Sequence, residues 1–286
     1  MSVERLKGLE WTHDGDVHTV LDASPDEVTA ALSRLWRRVL DGIDAIPAAQ
    51  WEAPTRCSEW AVVDIVNHLA DMAALGAQAV LNAATGQPPS GILTGFNPQT
   101  APKQLTDAAV RDPDVARARI HAALEAPLAV LDGAGPEFEA LQVETPLGAQ
   151  PYAVALMHVI WDVWLHERDL FLPLGMPVPE REDEARLVAL YTLRLAGFFQ
   201  WFAQREAHVT LALHGATDSV MRLDVRSDEV LVSIVDDVHD TDNLLRGDAV
   251  TALDALSGRG DLEQALDGSA GARKALRLVR RVVAGV

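Results

Sequence analysis

The residues best suited to chemistry lie in one stretch, Val154–Leu170, where His158, Asp162 and His166 are spaced four residues apart. In an α-helix this spacing places the three side chains along one face. Most other positions in the stretch are apolar, which is typical of a buried helix. A carboxylate and two imidazoles inside a protein are unfavourable unless they are paired or bind a metal. The sequence therefore predicts one of these two arrangements.

Metal binding needs a third ligand from another helix, because Asp162 and His166 supply only one oxygen and one nitrogen. The candidate is His68, which lies in a second apolar stretch. Two histidines and a carboxylate are typical of catalytic divalent sites with positions open for water or substrate. Zn²⁺ is the first expectation, with Fe, Ni or Mn as alternatives. From the spacing alone, the favoured interpretation is a buried hydrogen-bond ladder, or pairing of His158 and Asp162 with Arg168 or another arginine.

Helical periodicity recurs along the first two thirds of the chain. Ser24, Pro25 and Glu27 form a helix start of the capping-box type, and apolar residues follow at helical spacing. Pro127 is expected to kink the third helix. The predicted helices span about 25–46, from 62 past 75, 114–131, 151–174 and 179–205, and the predicted loops span 87–105 and 132–150.

The pattern changes near residue 206. Short, alternating, β-branched segments predict strands at 209–213, 220–225 and 230–235, and helical segments follow at about 248–257, 261–267 and 271–284. The predicted fold class is mainly α with an α+β C-terminal part. Its parts are a lead-in over 1–23 with a hairpin around Asp14–Gly15, a helix bundle over 24–206 and a smaller α+β domain over 207–286.

Composition excludes several classes of function. The 286 residues carry a net charge of -18, from 42 acidic and 24 basic side chains, which argues against sequence-independent nucleic-acid binding and against anionic membrane surfaces. Cys57 is the only cysteine, so an intrachain disulfide and a Cys-rich zinc site are excluded. No apolar run reaches the ~20 residues of a membrane span. The charged N-terminus lacks a signal core, so we expect a cytoplasmic protein.

Two segments share motifs with a known family. Residues 51–69 contain a Pro-Thr, a Cys, a Trp-x-Val, an Asp and a His-Leu, and residues 161–175 contain an acidic residue, three spacers, His, two spacers, Asp and a nearby Gly. Both resemble the DinB-like metal-binding bundles, in the subgroup of mycothiol-dependent maleylpyruvate isomerases. The strands and Gly258-Arg259 resemble, more weakly, the C-terminal domain of that family, which is similar to sterol-carrier-like α+β folds.

The resemblance implies a DinB-like up-down bundle whose metal ligands fall on His68, Asp162 and His166. The acidic ligand is Glu in the characterised isomerase, and Asp162 is one methylene shorter than that ligand. The family chemistry implies that mycothiol approaches the metal as a thiolate and adds to a small electrophile such as an unsaturated carboxylate. The outcome is isomerisation or S-transfer. An arginine of the C-terminal domain acts in the family, and Arg259 matches it; a helix-end arginine is the competing interpretation.

Several other residues have competing interpretations. Cys57 is a structural residue or, less favoured, a reactive thiol. His158 is a supporting or core residue or an alternative ligand. Asp169 orients His166 or caps a turn. Asp64 supports His68 or, as favoured here, lies on the solvated surface. The four tryptophans at positions 51, 60, 161 and 164 are expected to form core and pocket wall.

The leading hypothesis is a thiol-dependent isomerase or transferase. Its expected cofactor is a divalent metal, Zn²⁺, and its expected cosubstrate is mycothiol. Its expected partners are a small-molecule substrate and the thiol, without nucleic acid or membrane, in a monomer or homodimer. One alternative is a metal-dependent hydrolase that uses activated water. Another is a non-catalytic ligand-binding or regulatory protein on the same bundle.

Overall fold

The computed structural model describes residues 8–13, 17–93, 110–133, 135–238 and 242–280. Its helices are α1 (Pro25–Ala45), α2 (Val62–Ala84), α3 (Pro113–Gly133), α4 (Pro136–Glu139), α5 (Tyr152–Phe171), α6 (Glu182–Phe202), α7 (Ala249–Leu256), α8 (Leu262–Ala265) and α9 (Ala270–Leu276). Its strands are β1 (Leu9–His13), β2 (Val17–Leu21), β3 (Gln142–Thr145), β4 (Gly148–Pro151), β5 (Ala207–His214), β6 (Ser219–Val225), β7 (Glu229–Val235), β8 (Leu244–Asp248) and β9 (Asp267–Gly268).

Contacts divide the chain into two units, 29–179 with 284–286, and 1–28 with 180–283.

The unit over 29–179 is helical and contains most of α1 together with α2, α3 and α5. Its core is formed by the apolar stripe of α1, including the fully buried Leu35 and Val39, and by the apolar faces of α2 and α5. α2 packs along α3. Arg38 of α1 donates two hydrogen bonds, of 2.6 and 2.9 Å, to the buried carboxylate of Glu167 on α5. These contacts fix α5, which carries two of the candidate site residues.

The prediction of a loop over 132–150 is wrong in part. It contains α4 and a two-stranded hairpin in which β3 pairs antiparallel with β4. Gly148 has φ of 92°, a conformation that glycine adopts without strain, and it allows the tight turn between the strands. The strands are only four residues long, so their alternation was too short to distinguish them from a loop.

The unit over 1–28 and 180–283 contains a seven-stranded sheet in the order β1-β2-β7-β6-β5-β8-β9. The pairs β2–β7 and β5–β8 are parallel, and the other neighbours are antiparallel. α6 packs on β6 and β7. It approaches closely at Gly197, where an added Cβ would lie 2.6 Å from Val230 and 2.8 Å from Leu223. The three predicted strands are confirmed, whereas β8 and β9 were not predicted.

The observed units differ from the predicted organisation at two places. The predicted lead-in contains β1 and β2, which extend the sheet of the second unit through β7. α6, which the sequence assigned to the bundle, is grouped with that sheet because its apolar side packs on strands. The domain limits that the sequence predicts at residues 23 and 206 remain predictions. The turn at Asp14–Gly15, residues 94–105 of the predicted loop and residues 281–284 of the last predicted helix lie outside the described residues.

No helix in the part of the chain that the structure describes has both the length and the apolar character to cross a bilayer.

The contact between α1 and α5 predicts the effect of one added methyl group. A Cβ at Gly42 would lie 2.3 Å from the ring of Phe171, which is buried. We expect Gly42→Ala to lower the free energy of unfolding by about 1–3 kcal/mol, as overpacked core substitutions do. Gly76→Ala is the matched control on α2, because its Cβ would meet nothing within 4 Å, and it should stabilise by up to about 1 kcal/mol. Urea unfolding of the two variants checks this, and equal stabilities would contradict it.

Candidate metal centre

Two helices of the helical unit carry the three candidate ligands. α2 holds His68, and α5 holds Asp162 and His166 one turn apart. The start of α2 is fixed by Asp64, whose carboxylate accepts the backbone N–H of Ala61 at 2.9 Å. Asp64 also pairs with Arg111 at 2.6 Å. Asp64 is buried, so the favoured prediction that it lies on the solvated surface is wrong. Its side chain caps the start of α2.

The three side chains meet around the Asp162 carboxylate. His68 Nε2 lies 3.4 Å from Asp162 Oδ2, and His166 Nε2 lies 3.5 Å from Asp162 Oδ1. The donor atoms of the three residues all lie within 4.8 Å of one another. Both histidines are buried, and the Asp162 side chain is 19% exposed. The arrangement is a small, nearly dry cluster of two imidazoles and one carboxylate.

The spacing of these atoms suits a shared cation better than direct hydrogen bonds. N–H···O bonds have a usual length of about 2.9–3.0 Å, and both contacts are longer. Ligand atoms about 2.0–2.2 Å from a tetrahedral ion stand roughly 3.3–3.5 Å apart. The donor set therefore fits a divalent ion, with two histidines and one carboxylate.

The carboxylate is held in the form that binds metal. Burial raises the pKa of Asp162, but the neighbouring imidazoles of His166, His68 and His158, when protonated, together outweigh burial and hold the pKa well below its ordinary value. Asp162 is therefore ionised at neutral pH, and its negative charge attracts a cation to this point of the fold.

A second carboxylate, Asp169, orients His166. Its Oδ2 atom lies 3.1 Å from His166 Nδ1. An ionised carboxylate only accepts hydrogen bonds, so Nδ1 of His166 donates to Asp169, and in the neutral imidazole the lone pair of Nε2 then faces Asp162. A lone pair that faces a carboxylate oxygen is repelled unless a cation or a proton lies between them. The prediction that Asp169 orients His166 thus agrees with the geometry.

Cys57 and Arg56 complete the surroundings of Asp169. The thiol of Cys57 donates to Asp169 Oδ2 at 3.2 Å, and Arg56 Nε lies 3.6 Å from Asp169 Oδ1. Cys57, His166 and Asp169 form a second group with atoms close enough to hold an ion. That group uses the His166 nitrogen that already faces Asp169, and its thiol is occupied as a donor. The geometry accordingly favours the structural interpretation of Cys57.

Trp60 forms a wall of the centre. Its ring centroid lies 5.1 Å from that of His68 and 5.9 Å from that of His166, and the two imidazoles are 4.9 Å apart edge to face. Trp60 is buried, which keeps water from that side of the ligands. Its place beside both histidines agrees with the expectation that the tryptophans form core and pocket wall.

Three other predicted residues, His158, Arg168 and Arg259, are not members of the ligand group. His158 is in neither ion-binding group, and its ring stacks on Trp161 with centroids 5.9 Å apart. The guanidinium of Arg168 lies over the ring of Trp164 at 4.9 Å. Arg259 belongs to the other unit, where it donates a 2.7 Å hydrogen bond to the carbonyl of Ser257.

The sequence did not predict two arginines that support the centre. Neither Arg56 nor Arg111 was singled out, although each pairs with an aspartate that supports α5 or α2. Arg56 directly precedes Cys57 inside the first motif, which was a usable signal. Arg111 is remote in sequence from Asp64, and no local pattern connects them.

Comparison with known proteins identifies a family for this region. A model of the mycothiol maleylpyruvate isomerase N-terminal domain matches residues 32–171, which include all three candidate ligands. This part of the chain is similar to that domain family. The resemblance inferred from the two motifs is confirmed, and so, at the level of this isomerase domain, is the prediction of an enzyme.

Two solved structures share the fold beyond the isomerase domain. They are crystal structures of the mycothiol-dependent maleylpyruvate isomerase and of a histidine-to-alanine mutant of it. Each is 17% identical to this chain, covers 87% of this chain and 95% of its own, and has a TM-score of 0.59. The predicted fold class, a helical part followed by an α+β part, is confirmed. No curated protein sequence matches the chain.

The two overlapping groups predict different effects of removing Cys57. If His68, Asp162 and His166 are the ligands, Cys57→Ala leaves the affinity for Zn²⁺ nearly unchanged. Asp169→Asn lowers it by about 10–100-fold, because His166 loses its orienting carboxylate. Competition with a chromophoric chelator measures both affinities. Loss of the bound ion in Cys57→Ala would identify Cys57, His166 and Asp169 as the site instead.

Proposed function

We propose that this chain is a divalent-metal enzyme that uses mycothiol, or a similar low-molecular-weight thiol, to isomerise or to S-conjugate a small electrophile. The observation that carries the proposal is the cluster of His68, Asp162 and His166 at metal-ligand spacing within an isomerase N-terminal domain. The name of the structural neighbour supports mycothiol as the thiol. Zn²⁺ is the proposed ion, since two histidines and one carboxylate are a usual donor set for it.

Different residues of the chain have different roles in such a reaction. His68, Asp162 and His166 would hold the ion with one ligand atom each. A bound divalent ion favours the thiolate form of a coordinated thiol. Asp169 keeps the proton of His166 on Nδ1, so that Nε2 stays available as a ligand. Trp60 excludes water from one side, which strengthens the electrostatic attraction inside the cluster.

The thiolate would add to an activated double bond of the substrate. Addition forms a C–S bond and converts the double bond into a single bond that rotates. Elimination then breaks the C–S bond and returns the thiol with the isomerised product. When elimination does not occur and the carbon is protonated, the product is the S-conjugate. Arg259 is proposed to bind a substrate carboxylate through its guanidinium group, as the family resemblance implies.

Metal content and thiol dependence together test the proposal. We expect about one divalent ion per chain in untagged protein and its loss in His68→Ala, because two remaining ligands bind weakly. His158→Ala is the matched control on α5 and should keep the ion, since His158 belongs to neither ion-binding group. Elemental analysis measures this. Turnover of unsaturated carboxylates should require the thiol.

Two results would contradict the proposal. Absence of metal, also after titration with Zn²⁺, Ni²⁺ or Fe²⁺, would indicate a buried polar ladder and favour the non-catalytic binding protein. Turnover of a hydrolysable substrate without any thiol, lost in His68→Ala, would favour the metal-dependent hydrolase. Cytoplasmic location and a monomeric or homodimeric state stay predictions.

Arg259 gives a separate prediction. We expect Arg259→Ala to lower kcat/KM for a carboxylate substrate by about 10–100-fold, the effect of one charge-assisted hydrogen bond, and to leave the metal content unchanged. Arg277→Ala is the matched control, because Arg277 is an exposed arginine of the same unit. Steady-state kinetics with both variants measures the effect. Equal kinetics in the two variants would assign Arg259 to its local hydrogen bond with Ser257.

A further inference from the structure

The helical unit contains a cavity of about 430 Å³ that the metal centre does not use. α1, α2, α3, α5 and the β3–β4 hairpin supply its walls. The volume falls in the range of about 300–1,000 Å³ that is usual for small-molecule sites. All residues that line it belong to the unit over 29–179.

The cavity begins about one helical turn from the candidate ligands. On α2, Met72 lines the cavity four residues after His68, and on α5, His158 lines it four residues before Asp162. Four residues of α-helix rise about 6 Å. The same two helices therefore lead from the polar cluster into the cavity.

The walls of the cavity are unsuited to an anion. They consist mostly of Ala, Val and Leu side chains, and no Lys or Arg occurs among the described residues that line them. Among the described lining residues the one carboxylate is that of Glu144, which accepts hydrogen bonds from the backbone N–H and hydroxyl of Ser90 at 2.8 and 3.0 Å. Burial raises the pKa of Tyr152, also in the lining, to about 12, so this phenol stays neutral.

One side of the cavity is accessible to solvent. Leu81 lines the cavity and is 55% exposed to solvent. Gly76 also lines it, and a Cβ at that position would meet nothing within 4 Å. A ligand can thus enter beside Leu81 and extend along α2 toward His68.

We propose that this cavity binds an uncharged alkyl or aryl group of the electrophilic substrate, whose reactive carbon reaches His68, Asp162 and His166. The substrate class is a hydrophobic electrophile, and its apolar group is bound by burial of apolar surface. The link to the reacting end rests on the proposed function. Binding of the apolar group itself needs neither the metal nor the thiol.

The test uses the neutral fluorophore N-phenyl-1-naphthylamine with the full chain, before and after treatment with a chelator. We expect its fluorescence to rise on binding in both forms, with displacement by 1-decanol and none by maleate. Gly76→Phe places a ring in the open space and should weaken binding by about tenfold or more, which is about 1.4 kcal/mol. Gly271→Phe, at an exposed helical glycine of the other unit, should bind as the unchanged protein does.

Leu81→Glu is a second variant that keeps the inference falsifiable if Gly76→Phe does not fold, because position 81 is already exposed. It should also weaken binding, since it places a carboxylate at the opening. The inference is overturned if the unchanged protein does not bind the fluorophore, if both variants bind it equally well, or if maleate displaces it as decanol does. Metal analysis of the same preparations separates the two proposals. Fluorophore binding by a protein that binds no metal would contradict only the proposed function. Metal binding by a protein that does not bind the fluorophore would contradict only the cavity inference.

Discussion

The candidate site depends on a single electrostatic constraint, a carboxylate between two imidazoles inside a helical unit. Asp162 stands 3.4 and 3.5 Å from the nearest nitrogens of His68 and His166, and both histidines are buried. Removing such polar groups from water is unfavourable unless positive charge compensates the carboxylate. A divalent ion or an imidazolium satisfies this requirement. The long contacts, together with the Nδ1 proton that Asp169 imposes on His166, favour the ion.

Much of the neighbouring structure serves to hold these three side chains in place. Asp169 receives the His166 Nδ1–H and the Cys57 thiol, and Arg56 lies beside its other oxygen. Glu167, the residue after His166, is bound by Arg38 of α1. Glu167 and Asp169 of α5 are thus bound by residues from two different parts of the helical unit, which restricts rotation of the helix about its axis. Such restraint keeps ligand atoms within the few tenths of an ångström that metal binding tolerates.

The polar cluster and the apolar cavity are neighbouring parts of the same pair of helices. α2 changes from His68 to Met72, and α5 from Asp162 to the cavity residues around His158, within one turn. Charge and hydrogen-bond donors are therefore concentrated at one end, while the adjacent volume has walls of small apolar side chains. This division allows a reactive group to be bound by electrostatics and the remainder of a molecule by burial. It also gives a physical reason for the many alanines of α2, because larger side chains would fill the cavity.

Local sequence determined the long helices, the three central strands and the ligands on α5, because hydrophobic periodicity and the four-residue spacing are properties of neighbouring positions. His68 was found by its place in an apolar helix and by a family motif. Short strands such as β3 and β9 were missed because few residues carry their pattern. Asp64 was wrongly placed at the surface, since its burial depends on Arg111, 47 residues away. The sequence by itself determined which residues can bind a metal. Only the tertiary structure decided that His68 meets Asp162, that Cys57 donates to Asp169 and that an apolar cavity opens one turn away, because these depend on distances between helices that no local spacing encodes.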